Sequence, residues 1–107
     1  GKVIKTLEEI GELENTVIIY SSDNGYFMGE HTFIDKRLAY ENSMRVPMII
    51  RYPKLISKSS VVDEQCLNID IAPTILDLAG VNKPSYMQGE SMLKLISGKK
   101  DKSWRNR

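Results

Sequence analysis

From Thr16 to Tyr20 the chain is apolar or β-branched at every position, and it turns abruptly polar at Ser21-Ser22-Asp23-Asn24-Gly25. A side chain forked at Cβ is crowded in a helix and fits a pleated surface, so the run predicts a strand over Thr16 to Ser22. Its apolar residues are consecutive rather than alternating, which predicts burial on both faces, the pattern of a parallel α/β sheet. The polar residues that follow then fall at a strand end, where such sheets bind ligands.

The flanking segments extend this order. Val3, Ile4, Leu7, Ile10 and Leu13 recur at helical spacing and predict an amphipathic helix to about Leu13, weakened near its end by Gly11. A short helix is expected over Arg37 to Ser43 and a second buried strand over Val46 to Tyr52, with Pro47 at its start, where a missing N–H is tolerated. Helix, loop and strand in that order predict a right-handed crossover between parallel strands. Pro53 to Ser60 reads as a polar loop and Val61-Val62 as a short extended piece. Asp70 before Ile71, Pro73, Ile75, Leu76 and Leu78 predicts a capped amphipathic helix that Gly80 stops, a packing element with Asp70 as cap or loop anchor. Ser91 to Ile96 predicts a last short helix ended by Gly98, and Met44, Met48, Met87 and Met92 read as core fillers.

The polar residues after the first strand carry chemistry. Asp23 and Asn24 offer adjacent hard oxygens suited to calcium or, less readily, magnesium, and Gly25 lets the backbone turn sharply behind them. Asp-Asn-Gly is equally a common turn sequence. Lys36, inside Asp35-Lys36-Arg37, is either an ammonium for an anionic ligand or a solvated surface lysine; Arg37 reads as solvated.

The segments Tyr20 to Asp23-Asn24-Gly25, Gly29-Glu30-His31, Asp35-Lys36-Arg37, Tyr40-Glu41 and Arg45-Val46-Pro47 to Arg51-Tyr52-Pro53 together resemble the sulfatase family of the alkaline-phosphatase superfamily. Asn68 to Gly80, Gln88 to Met92 and Gly98 agree with it, so the resemblance runs from about Thr16 to Arg107. It implies an α/β fold: part of an alkaline-phosphatase-like sandwich, helix-strand-loop-helix-strand followed by helices, its strands mostly parallel. Residues 1–107 would be the later, C-terminal part of the catalytic domain. By the same resemblance Asp23 and Asn24 are calcium ligands and Lys36 contacts the sulfate ester. His31 either donates to a sulfate oxygen or protonates a leaving group, or is a structural histidine hydrogen-bonded under the loop. The implied reaction hydrolyses a sulfate ester of a small molecule or glycan through a covalent sulfo-enzyme on formylglycine, in an exported parent that is periplasmic or secreted.

The chain departs from the family pattern upstream. The nucleophile motif Cys/Ser-x-Pro/Ala-x-Arg is absent, and so is the early Asp pair of the calcium site. Cys66, the single cysteine, lies downstream without proline or arginine at the required offsets and reads as a small buried hydrophobe. Calcium takes about six to eight oxygens. Asp23 and Asn24 supply at most three, so the chain alone is expected to bind metal weakly and to be inactive. A phosphodiester or phosphonate hydrolase of the same superfamily, or a degenerate domain that binds without turnover, are the alternatives.

Composition sets few further limits. At 107 residues the chain has room for one modest core, burying roughly 65 % of its unfolded surface. A net charge of +1 suggests no polyanionic partner such as nucleic acid. The cations of Lys99 to Arg107, around Trp104, read as a solvated tail. No stretch approaches the ~18 consecutive apolar residues of a membrane span, and none reads as a signal peptide. Bare strand edges would favour self-association.

Overall fold

Helix α1 spans Lys2–Glu9 and stops well short of Leu13, because Gly11 takes φ +74° and lets the chain reverse. The amides of Gly11 and Glu12 then bond the carbonyls of Glu8 and Leu7 at 3.0 and 2.9 Å, a Schellman closure that turns the glycine from a weak point into the terminator. The structure, a computed structural model, describes residues 1–99 and 101–105. It divides into two compact units, Gly1–Tyr52 and Pro53–Arg107.

In the first unit, strands β1 (Ile18–Tyr20) and β2 (Ile49–Arg51) pair Ile18 with Arg51, Ile19 with Ile50 and Tyr20 with Ile49. They are antiparallel, which corrects the expected parallel pair and its crossover. A parallel return needs a long connection, usually a full helix packed on the sheet. Helix α2, Glu41–Met44, is a single turn, and the chain simply folds back. Both strands are shorter than expected, and β1 is half-buried to exposed rather than covered on both faces. β2 begins two residues past Pro47, as a missing donor requires. Its last residue is anchored: the Arg51 guanidinium donates to Leu13 O at 3.0 Å and Glu14 Oε1 at 2.6 Å.

The second unit is organised around a buried carboxylate. A 3-10 turn, Asn68–Asp70, leads into helix α3, Ile71–Leu78, which Gly80 ends as expected; helix α4 spans Leu93–Ile96. Asp70 is fully buried and acts as a loop anchor. Its Oδ2 accepts from Leu67 N at 2.8 Å and its Oδ1 from Glu90 N at 2.9 Å. The Arg105 guanidinium grips both oxygens, Nη2 reaching Oδ1 at 2.8 Å and Nη1 reaching Oδ2. One turn on, Thr74 Oγ1 donates to Asp70 O at 2.6 Å and accepts from Met92 N at 2.9 Å. Gly89 completes the seam, since a Cβ there would lie 1.9 Å from Ile69 O.

Several expectations change here. Met92, Leu95, Ile96 and Trp104 form the apolar core, whereas Met44 is exposed. Of α3 the buried residues are Pro73 and Thr74, not its apolar stripe, and Ile75 is exposed. The terminal segment is not a solvated tail: Trp104 is buried, with Nε1 donating to Gln65 O at 3.0 Å, and Arg105 is committed to Asp70. The remaining part of that reading, at residues 100, 106 and 107, lies outside the described residues. No helix among the described residues is long and apolar enough to cross a membrane.

Burial raises the Asp70 pKa, but Arg105 and the amides of Glu90 and Leu67 outweigh it and hold the carboxyl below its ordinary value of 3.8. A depressed carboxylate stabilises the fold above the unfolded pKa, and that contribution disappears as pH falls through the folded value. Urea titrations should therefore show stability falling below about pH 4, by the carboxylate range. Asp70→Ala, which strands the Arg105 charge, should cost about 3–5 kcal/mol at neutral pH and flatten that acid limb.

Candidate active site

The site begins where β1 ends. Ser22 Oγ donates to Asn24 O at 3.0 Å and contacts Asp23 Oδ1 at 3.4 Å, shaping the turn that presents Asp23 and Asn24. Asn24 Nδ2 donates to Gly25 O at 2.6 Å, which turns the amide oxygen outward. That oxygen accepts from Lys36 Nζ at 3.2 Å, joining two of the residues singled out in the sequence across 12 positions.

Gly25 is required for a reason other than a sharp turn, because its φ is not positive. Its amide donates to Ser43 O at 2.8 Å, and a Cβ would sit 2.1 Å from Asn42 O. Only a residue without a side chain allows the Asn24-Gly25 backbone to lie against α2.

Lys36 is returned to Asn24 by a closed loop. Phe27 N donates to Asp35 O at 2.8 Å and Gly29 N to Phe33 O at 3.0 Å, so the two arms run side by side. Phe27 is fully buried beneath them, edge-on to Phe33 at 6.1 Å and to Tyr40 at 5.8 Å. At the tip, Glu30 Oε2 accepts from Met28 N at 2.6 Å; its own amide and that of Met28 hold its carboxyl below the usual range. Asp35 braces the far arm: Oδ1 accepts from Lys36 N at 2.7 Å, and Arg37 Nε lies 3.0 Å from Oδ2. The Lys36 amide, with Arg37, holds Asp35 low despite desolvation.

His31 sits on the loop tip in a left-handed conformation, φ 54°, followed by Thr32 at φ 65°. Two consecutive non-glycine residues in that region are costly and persist only where surroundings hold them. Here the ring contacts hold His31, tilted on Tyr40 at 4.9 Å and edge-on to Phe27 at 6.1 Å. The imidazole is exposed, beside the aromatic plug rather than under the loop.

The structure thus brings Asn24 and Lys36 into contact, with Asp23 adjoining them and His31 on the same loop as Lys36. Asp35, Phe27 and Ser43 do the positioning; the Asp-Lys-Arg run hinted at the first, and nothing in the sequence marked the other two. The oxygens of Asp23 and Asn24 suit a hard cation in kind but not in number. Among the described residues no group of three or more His, Cys, Asp or Glu is placed to hold a metal. Cys66 is half-buried; desolvation first, then Asp70, pushes its thiol up, so it is a poor nucleophile. An open pocket of about 490 Å³ lies in the second unit and includes Asp77, Ser91, Lys94, Asp101 and Trp104. Its polar walls are engaged with one another: Lys94 with Asp101 at 3.1 Å and Ser91 with Asp77 at 2.5 Å. Ser103, followed by Lys94, holds the Asp101 carboxyl down at about 2.

Residues 29–107 match the family described as N-sulphoglucosamine sulphohydrolase, C-terminal. An N-acetylglucosamine-6-O-sulfatase of Bacteroides thetaiotaomicron is 49 % identical over 107 residues, covering 98 % of this chain and 19 % of that protein. A structure solved with its substrate D-glucosamine-2-N,6-O-disulfate superposes with a TM-score of 0.91 at 50 % identity, covering 98 % of this chain and 22 % of that one. A phosphonate monoester hydrolase from Silicibacter pomeroyi superposes at 0.90 with 33 % identity, covering 97 % of this chain and 20 % of its own. The chain spans about a fifth of the length of these relatives.

Gly25→Ala is expected to force Asn42 away and break the Gly25–Ser43 bond, lowering stability in urea by about 1–3 kcal/mol, the range for overpacking a close contact. An unchanged midpoint would show that the close approach is not a constraint in solution.

Proposed function

This chain belongs to the sulfatase family, and from that premise we propose that it forms one wall of a site that hydrolyses the sulfate ester of a glucosamine-type sugar. The observation that carries the reading is the meeting of Lys36 Nζ and Asn24 Oδ1 at 3.2 Å, beside Asp23. In this reading Asp23 and Asn24 hold a calcium ion, with magnesium the less suited alternative, and the bound ion supplies positive charge to the sulfate. The other metal ligands and the formylglycine nucleophile come from outside these 107 residues. The chain by itself is inactive.

Lys36 binds a sulfate oxygen and neutralises charge on the departing sugar oxygen as the ester bond breaks. Its ammonium rests on Asn24 Oδ1, the oxygen that a calcium ion would need, and turned away from that oxygen it would be free to face the anion. His31, exposed on the same loop, donates to a sulfate oxygen or to the leaving oxygen. The likeness to a phosphonate monoester hydrolase supports a second reading, in which the same residues receive a phosphorus ester.

A chimera in which these residues replace the matching segment of the Bacteroides thetaiotaomicron relative tests the reading. It should hydrolyse 6-O-sulfated glucosamine, stop when calcium is chelated, and lose about 10²–10³-fold in kcat/KM with Lys36→Ala. Turnover of a phosphonate monoester alone would move the assignment to the second reading. A folded chimera inert to both would end both.

The isolated chain should also associate with itself. The sheet among the described residues has two strands, and Tyr20 and Ile49 are 61 % and 63 % exposed, so its edges and an apolar face are open. Light scattering is expected to show mass rising with concentration; a constant monomer mass counts against it.

A further inference from the structure

We propose that Ser43 is a positioning residue that sets the spacing of Asn24 and Lys36 by holding the backbone beside each of them. The proposal rests on the sulfatase reading for what that pair does, and on local geometry alone for how the pair is held.

Helix α2 is one turn long, and it buries a hydroxyl rather than an apolar side chain. Glu41, Met44 and the following Arg45 are exposed, while Ser43 is 4 % exposed. Serine is an indifferent helix former that competes for backbone carbonyls, so helix propensity does not explain it there. Its contacts do. The Ser43 carbonyl accepts the Gly25 amide at 2.8 Å, one residue from Asn24. Its amide donates to Tyr40 O at 3.0 Å, and its hydroxyl reaches Tyr40 O at 3.0 Å and also Leu38 O, on the segment leaving Lys36. One buried residue therefore grips both flanks of the Asn24–Lys36 contact.

The division of bonds separates positioning from general support. A hydroxyl has one proton and serves one of the two carbonyls at a time. Both carbonyls keep other donors: Tyr40 N to Leu38 O at 2.9 Å and Met44 N to Tyr40 O at 2.9 Å. Removing the hydroxyl strands neither, so the unit stays folded while the brace loosens. The contact it guards is sensitive, because 3.2 Å lies at the long end of hydrogen-bond distances and a small relaxation breaks it. A site that must place two groups within about half an ångström depends on such a support.

The test compares wild type, Ser43→Ala and Ser43→Thr as 107-residue chains by NMR, with melting followed in parallel. Ser43→Ala should stay folded, speed hydrogen exchange of the Gly25 amide about tenfold, the scale of one lost hydrogen bond, and shift the Asn24 side-chain amide resonances. Ser43→Thr, which keeps the hydroxyl, should restore both. The proposal is overturned if exchange and resonances are unchanged in a folded Ser43→Ala. It is equally overturned if Ser43→Thr, folded, matches Ser43→Ala, or if Ser43→Ala unfolds, since the residue would then support the whole unit. Titration with inorganic sulfate, followed at Lys36, is a separate arm. Silence there in the wild type counts against anion binding by Lys36 in the isolated chain and leaves Ser43 to be decided by exchange.

Discussion

The candidate site depends on a backbone contact that no side chain can be allowed to enter. Gly25 lies against Asn42 and Ser43 with its amide on the Ser43 carbonyl at 2.8 Å, and this contact fixes where the β1 end stands relative to the segment that carries Lys36. The Asn24–Lys36 pair, the Asp35 brace and the buried Phe27 plug are arranged around it. A loop joining residues 12 apart has many conformations. Two cross-loop hydrogen bonds and one buried aromatic remove most of them, and the complete burial of Phe27 offsets part of the entropic cost.

The second unit solves the same problem with charge. Beside the close backbone approach at Gly89 it uses the Asp70 carboxylate, which collects the neighbouring Leu67 amide and, from 20 and 35 residues further on, the Glu90 amide and the Arg105 guanidinium. A bare buried carboxylate would be strongly unfavourable, but each oxygen has a charge-assisted partner, and the arrangement is directional in a way that apolar packing is not. Directionality explains why α3 can leave Ile75 exposed and still be fixed: its orientation follows from Asp70 and Thr74 rather than from its apolar stripe.

This difference explains what could be read from the sequence. Local signals carried well: the strand before Ser21, the Pro-Thr helix and its stop at Gly80 all depend on residues near one another. Failures arose where a distant segment decided the outcome. Strand direction was misread because the run from Arg37 suggested a crossover helix, where α2 is a single turn. The basic end of the chain read as solvated because nothing near Arg105 announces Asp70, 35 residues away. Gly25 was recognised as necessary, but for chain reversal rather than for the carbonyl of Asn42. Ser43, an ordinary residue in the sequence, stands out only once the fold brings Gly25 and Leu38 to it.

The electrostatics explain why groups of the right kind are not yet an active site. Lys36 is exposed, and in water two unit charges 4 Å apart attract by about 1 kcal/mol, whereas at an effective dielectric near 20 the figure is about 4. The difference corresponds to more than a hundredfold in rate if it is realised only in the transition state. The fold supplies the ammonium, the amide oxygen and their spacing, but their environment at the strand end is aqueous. In the proposed reading other surfaces would have to close over Lys36 and Asp23 to remove that screening, and the same side chains would gain most of their worth only with water excluded.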